Sequence, residues 1–305
     1  MAAERMHADE IDIDPDQVRR LLAAQFPQWA GLPVAPVASS GTDNALFRVG
    51  PDLAARLPRV ARSTGQVEKD LQWLPRLAPQ LPLAVPEPLG LGAPGEGYPW
   101  TWGVYRWLDG EEVRLDRLAD PCAAAVQLAE FVRALQHVGT AGDPLPEHQR
   151  SSRGLPVARR DGDVREAIRA LRELGEIDAG AATAAWEQSL AAADWPGPPV
   201  WLHGDLLPGN LLAAAGRLFA VIDFSCLTVG DPACDAMAAW SVFTGPSRDA
   251  FRNASAADED TWLRGRGWAL SLGLIALPYY RRTNPGFAAL ARRIIAEVLA
   301  DFAVI

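Results

Sequence analysis

The sequence predicts an α+β chain in two parts: a small sheet-containing part over residues 1–108 and a larger, mainly helical part over residues 109–305. Three observations predict it. In the first third, short apolar runs are punctuated by Ser, Gly and Pro, as in antiparallel strands. In the remainder, long stretches repeat their apolar residues at helical spacing. The 305 residues, 49% apolar and 22% charged, suffice for a sizeable core in a globular chain of about two domain-lengths.

The first helix is expected at DPDQVRRLLAAQF, where Asp14 precedes Pro15 as N-cap and first helical residue, with Val18, Leu21, Leu22 and Phe26 on one face. PVAPVASSGTDNALFRVGPDLAARLPR then gives short strands broken at Ser39-Ser40-Gly41 and at Gly50-Pro51. GQVEKDLQWLPRLAPQL returns to helical period, and VPEPLGLG and WTWGVYRWLDG read as two more strands. Beyond residue 108, LADPCAAAVQLAEFVRALQHV is a long amphipathic helix opened by Pro121, followed by helices at VREAIRALREL and AATAAWEQSLAAA. Between them GTAGDPLPEHQRSSRGLP is a polar loop, too rich in Gly and Pro to pack alone. WALSLGLIALPYY, with Pro278, falls short of the roughly 20 residues a bilayer span needs and reads as a buried helix.

Composition excludes several partners. A formal charge of −9 disfavours nucleic acid, whose phosphates reward clustered Lys and Arg, and favours a cationic small molecule where acids gather. No membrane partner is expected. The acidic MAAERMHADEIDID has no apolar core for an export signal, and three cysteines suggest no disulfide framework, so a reducing, cytoplasmic setting is expected. Cys226 and Cys234 stand too far apart for a C-x-x-C metal knuckle. Oligomeric state is not legible.

The stretch that carries chemistry is HGDLLPGNLLAAAGRLFAVIDF, which begins at His203. PVWLH leads into it, and NLLAA and RLFAVIDF flank a turn ending at Gly216, so a hairpin is expected to bring Asn210, at the start of one strand, near Asp223, at the end of the other. Pro208 and Gly209 bend the loop from Asp205 to Asn210. Asn and Asp offer hard oxygens suited to Mg²⁺ shared with phosphate, and a second Asp set apart from that pair can accept a proton from a hydroxyl nucleophile. Such a D-x-x-x-x-N, then D arrangement serves phosphoryl transfer of the kinase type, where positioning and charge neutralisation supply most of the catalysis. Each residue alone also reads as a turn or strand-end residue.

HGDLLPGN, VIDF and GDPACD, in this order, resemble the aminoglycoside phosphotransferase family, a branch of the protein-kinase-like fold. The resemblance implies a bilobal architecture, with 1–108 a nucleotide-binding N-lobe and 109–305 a catalytic and substrate-binding C-lobe. It implies Asp205 as catalytic base, Asn210 and Asp223 as Mg²⁺ ligands, His203 as a brace of the catalytic loop, and Asp231 and Asp235 as acids that fix the following segment. Ser39, Ser40 and Gly41 offer backbone N–H groups to phosphates. Arg56 matches the family's phosphate-binding cation, with Glu68 on the next helix as its ion-pair partner. Many kinases carry Lys there, and the longer planar guanidinium changes the contact it can make. VYRWLDG resembles the link between lobes, with backbone groups of Arg106 and Leu108 reading adenine and Tyr105 lining the pocket.

Asp258, Glu259 and Asp260 can attract the ammonium groups of an acceptor, or serve as acids at a helix start. Trp240, Trp262 and Trp268 can stack on an acceptor or pack a core. The implied activity is transfer of the γ-phosphoryl group of ATP or GTP, with Mg²⁺, to a hydroxyl of an aminoglycoside-like or other antibiotic. The alternatives are a metabolic kinase for a sugar or amino alcohol, and a nucleotide-binding module without turnover. A metal-dependent phosphatase would need a nucleophile or second metal cluster that the sequence does not display.

Overall fold

A computed structural model describes residues 10–37, 43–140 and 145–303. The chain forms two compact units, the first comprising Met1–Pro79, Ala84–Gly110 and Ala220–Ile222, the second Gln80–Leu83, Glu111–Phe219 and Asp223–Ile305. The short returns at Gln80–Leu83 and Ala220–Ile222 are not represented by any single cut in the sequence.

The first unit opens with α1 (Pro15–Gln25), capped by Asp14, whose carboxylate accepts from the Gln17 N–H at 2.7 Å. Five strands form its antiparallel sheet: β1 (Val34–Pro36), β2 (Asn44–Val49), β3 (Leu53–Pro58), β4 (Pro88–Gly92) and β5 (Trp102–Arg106), in spatial order β1-β2-β3-β5-β4. Period-two alternation puts Ala45, Phe47 and Val49 of β2 into the core with Val18, Leu21 and Leu22 of α1 and Trp102 and Val104 of β5. Pairing of Arg56 with Gly103 fixes the register of β3 on β5. Helix α2 (Gln66–Leu77) buries Val67, Asp70, Trp73, Leu74 and Leu77 along an i, i+3, i+4 stripe in which one member is a carboxylate, and buries Lys69 beside it.

The second unit is mainly helical. Its first strand is the short β6 (Glu111–Glu112), followed by α3 (Pro121–His137), opened by Pro121 and capped by Asp120. Helices α4 (Asp161–Glu173) and α5 (Ala179–Ala191) come next, then β7 (Val200–Leu202), β8 (Leu211–Ala214), β9 (Arg217–Val221) and β10 (Thr228–Gly230). β6, β8 and β9 form one small sheet, and β7 and β10 another. In the antiparallel β7–β10 ladder Leu202 faces Thr228 and Val200 faces Gly230, so the chain leaving β7 and the chain entering β10 meet at one end. The remaining helices are α6 (Ala233–Ala236), α7 (Ala238–Ser241), α8 (Gly245–Ser255), α9 (Glu259–Tyr280) and α10 (Pro285–Phe302).

Helix α9 is the unit's axis and packs against α4, α5, α6 and α10. It contains the apolar stretch expected to be a buried helix, and no described helix is long and apolar enough to cross a membrane. The tryptophans on and beside it are core residues: Trp240, Trp262 and Trp268 are at most 2% exposed, and the rings of Trp240 and Trp262 lie 4.5 Å apart. Three cysteines are free thiols.

A buried ion pair joins α9 to the segment before α6. Arg264 Nε donates to Asp231 Oδ2 at 2.7 Å and Arg264 Nη2 to Asp231 Oδ1 at 3.1 Å, a two-pronged contact with both side chains buried. Asp231→Ala is expected to strand the guanidinium and cost about 3–5 kcal/mol of unfolding free energy. Denaturant titration checks it, and adding Arg264→Met should recover part of the loss.

Candidate active site

The loop from His203 to Asn210 is built on a carboxylate behind it. Asp235 of α6, fully buried, accepts from the His203 N–H at 2.8 Å and from the Gly204 N–H at 2.7 Å, one oxygen for each. Gly204 has φ +80°, and a Cβ there would lie 2.8 Å from the Cys226 carbonyl oxygen, so only glycine admits this turn. His203 is buried against the Phe224 ring, and its Nδ1 accepts from the Asp205 N–H at 3.2 Å. The imidazole thus holds the Asp205 main chain from the buried side. Ser241 Oγ ties the next residue down by donating to the Leu206 carbonyl at 2.7 Å.

Asp205 stands on this loop with both oxygens engaged. Arg153 Nη2 donates to Oδ1 at 3.3 Å, and Asn210 Nδ2 donates to Oδ2 at 3.0 Å and to the Asp205 main-chain oxygen at 2.8 Å. Burial pushes the Asp205 carboxyl above the ordinary carboxylate range, Arg153 pulls it back, and the neighbouring Asp223 charge adds to the rise. Burial also works against the Arg153 charge, but Asp205 foremost, with the neighbouring Cys226 and Cys234 side chains, reverses this and leaves the guanidinium above its ordinary value.

Asn210 closes a 3-10 turn over Pro208–Asn210, one residue before β8 rather than inside it. Its amide nitrogen is committed to Asp205, and its amide oxygen is the group it can offer to a cation. Asp223 caps the next 3-10 turn, Phe224–Cys226, in a left-handed backbone conformation, φ 60° and ψ 71°, which a non-glycine residue adopts at a cost of order 1–3 kcal/mol. Its Oδ1 accepts from the Ser225 N–H at 3.3 Å. One amide oxygen and one carboxylate are a sparse set, which fits Mg²⁺ that keeps waters and shares phosphate oxygens rather than a cation caged by protein. No group of three or more His, Cys, Asp or Glu able to hold a metal occurs among the described residues.

In the first unit, Ser39, Ser40 and Gly41 lie outside the described residues. Arg56 on β3 forms its ion pair with Asp70, not with Glu68: Arg56 Nη1 donates to Asp70 Oδ2 at 3.2 Å. Asp70 also accepts from Tyr105 Oη at 2.8 Å and Gln66 Nε2 at 2.8 Å. Asp70 follows Val67 by three residues on the inward stripe of α2, whereas Glu68 sits beside that stripe with one buried oxygen lacking a hydrogen-bond partner. Helical phase, rather than the position the resemblance implies, identifies the partner. The buried Tyr105 hydroxyl is therefore spent on this network, and the Arg106 N–H donates to the Glu87 carbonyl at 2.9 Å. Leu108 follows two residues beyond β5.

The three acids at the start of α9 are each engaged. Asp258 caps the helix by accepting from the Thr261 N–H at 2.7 Å, Glu259 pairs with Arg252, and Asp260 accepts from the Ala193 N–H at 3.1 Å. Two residues that sequence reasoning missed stand out by their contacts. Asp70 carried a legible signal in its phase; Arg153, inside a polar Gly- and Pro-rich loop, carried none.

A small antiparallel-sheet unit, a helical unit and this carboxylate-and-amide loop define a kinase-like enzyme that moves a phosphoryl group to an alcohol oxygen of a small molecule. Residues 34–268 match the profile of the Phosphotransferase enzyme family, and the chain belongs to that family. The fold is similar to the GDP complex of wild-type aminoglycoside 2'-phosphotransferase-IIIa, at 18% identity and TM-score 0.69, over 95% of this chain and 99% of that one. It is similar also to the GDP and kanamycin complex of APH(2")-IIia, at 19% identity and TM-score 0.67, over 93% and 98% of the two chains. A third similar structure is the apoenzyme of macrolide 2'-phosphotransferase MphH from Brachybacterium faecium, at 23% identity and TM-score 0.60, over 92% and 97%. A search of curated proteins finds no match.

Asp235→Ala is expected to leave two consecutive N–H groups buried without an acceptor, at about 1–3 kcal/mol for each. Thermal and denaturant unfolding measure that loss. Turnover should fall further than stability explains, because His203 and Asp205 lose their footing together.

Proposed function

We propose that the protein transfers the γ-phosphoryl group of ATP, or of GTP, to a hydroxyl of a small-molecule antibiotic, with Asp205 as the base. The observation that carries this reading is the disposition of one carboxylate: Asp205 is set apart from Asn210 and Asp223, held by Asn210 and Arg153, and within electrostatic reach of Asp223. Family membership and the similar folds that hold GDP and kanamycin support it.

In this mechanism Asp205 orients the acceptor hydroxyl and takes its proton as the acceptor oxygen bonds to the γ-phosphorus and the bond to the leaving nucleoside diphosphate breaks. Asn210 and Asp223 would hold Mg²⁺, which when bound neutralises charge on the phosphate oxygens. Arg56, fixed by Asp70, supplies a further cation for phosphate, and backbone groups of Arg106 and Leu108 serve the adenine edge. Asp231 and Asp235 act as scaffold. A second reading, a less cationic acceptor such as a macrolide or a metabolic hydroxyl compound, is favoured by one observation: Asp258, Glu259 and Asp260 are spent on a helix cap, an arginine and a backbone N–H.

A panel of aminoglycosides, macrolides, sugars and amino alcohols, assayed for phosphate transfer from ATP and from GTP, tests the reading; nucleotide turnover with no phosphorylated product would count against it. With whichever acceptor is phosphorylated, Asp205→Asn is expected to cut turnover by at least about 10²-fold while nucleotide binding stays largely intact. Asp223→Ala is expected to weaken nucleotide binding in a manner that depends on Mg²⁺ concentration, followed by calorimetry at several concentrations. Unchanged affinity would remove Asp223 from the metal.

A further inference from the structure

Asp205 is held partly from outside its own loop. Arg153 lies 52 residues earlier, in the segment between α3 and α4, and its Nη2 reaches Asp205 Oδ1. The segment is anchored so as to place this side chain. The Asp231 N–H donates to the Gly154 carbonyl at 2.9 Å, and Gly230 approaches so closely that a Cβ there would lie 2.4 Å from the Gly154 oxygen. The Arg153 N–H donates to Ser151 Oγ at 3.2 Å, and the Arg153 Cβ packs over the bare Gly204, 3.0 Å from where a side chain would begin. Its guanidinium stands 5.8 Å from the Trp268 ring, which Arg160 flanks at 5.1 Å.

Arg153 spends its guanidinium differently from Arg264, the clamp on Asp231. Arg264, in the same unit, spends Nε, Nη1 and Nη2 on Asp231, Thr261 and the Ala193 carbonyl. Arg153 instead has its buried Nη1 without a hydrogen-bond partner, while Nη2 meets the carboxylate.

We propose that Arg153 is a positioning residue for Asp205, holding one carboxylate oxygen while Asn210 holds the other, so that the side chain cannot turn away from the acceptor hydroxyl. This role rests on Asp205 being the base. A carboxylate gripped at one oxygen pivots about its Cβ–Cγ bond; gripped at both it does not. Arg153 also gives the largely buried carboxylate a countercharge supplied by a different part of the chain.

The test uses the full-length protein with ATP and the best acceptor of the panel, or ATP turnover without acceptor if no compound is phosphorylated. Arg153→Gln is expected to lower kcat about 10²-fold, the cost of a roughly 1 Å misplacement, with ADP affinity within about threefold of wild type. Arg153→Lys, which restores charge without the fork, should recover about tenfold of that loss. Arg153→Gln combined with Asp205→Asn should be no slower than Asp205→Asn alone, because the arginine acts through the carboxylate. A crystal structure of Arg153→Gln should show the Asp205 carboxylate rotated off its present contacts. If Arg153→Gln fails to fold, Arg153→Lys carries the same comparison with Asp205→Asn. Undiminished kcat in Arg153→Gln, multiplicative losses in the double variant, or an unmoved Asp205 carboxylate would each overturn the proposal. Full turnover in Asp205→Asn removes instead the base on which it rests, and is recognised before any Arg153 variant is compared.

Discussion

One buried carboxylate, that of Asp235, sets the geometry of the candidate site. Its two oxygens accept from consecutive backbone N–H groups, at His203 and Gly204, which curls the chain at the end of β7 into a turn that only glycine can make. The turn directs the His203 imidazole inward, where it receives the Asp205 N–H, and Asp205 outward, where it meets Asn210 and Arg153. Without the carboxylate, two buried N–H groups would have no acceptor, and the loop would have no reason to keep this shape.

The helix carrying Asp235 is itself fixed from two sides. The segment before it is clamped to α9 by Asp231 and Arg264 and to the α3–α4 connection by the contact of Gly230 and Asp231 with Gly154. The same clamp therefore places both Asp235, which shapes the loop from His203 to Asn210, and Arg153, which holds the Asp205 carboxylate. The β7–β10 ladder completes the arrangement by bringing the loop after β7 beside the turn that Asp223 begins. Charge accumulates at this point, with Asp205 and Asp223 near each other, and Arg153 offsets it. A divalent cation held by Asn210 and Asp223 would offset it further.

Much of this was legible before any coordinates. Asp14 with Pro15 and Asp120 with Pro121 announce helix starts, because a short acceptor side chain followed by a residue with preset φ and no N–H satisfies the orphan groups of a first turn. Alternation in β2 and helical period in α2 are local consequences of backbone geometry and survive in the sequence as spacing. The buried nature of α9 follows from its apolar run. Arg56 is legible as a cation on a strand, but the resemblance points to Glu68 as its partner, whereas phase along α2 puts Asp70 there. The acids at 258–260 were legible as charges and not as charges already spent, since Arg252 and the Ala193 N–H lie outside their stretch.

The sequence alone determined the two-part α+β organisation and singled out Asp205, Asn210 and Asp223 as candidates, because these depend on local period and on short spacings that a single loop and hairpin enforce. Tertiary structure alone decided which groups stand around them. Asp235 reaches back 32 and 31 residues to His203 and Gly204, Arg153 reaches forward 52 residues to Asp205, and Arg264 spans 33 residues to Asp231. Contacts over such separations are set by the packing of α6 and α9 and by the close approach of Gly154 and Gly230, and chain-local propensity has no term that encodes them. Arg153 shows the limit most clearly: in a segment whose composition marks it as solvent-facing loop, burial and charge pairing give its side chain a place beside the carboxylate.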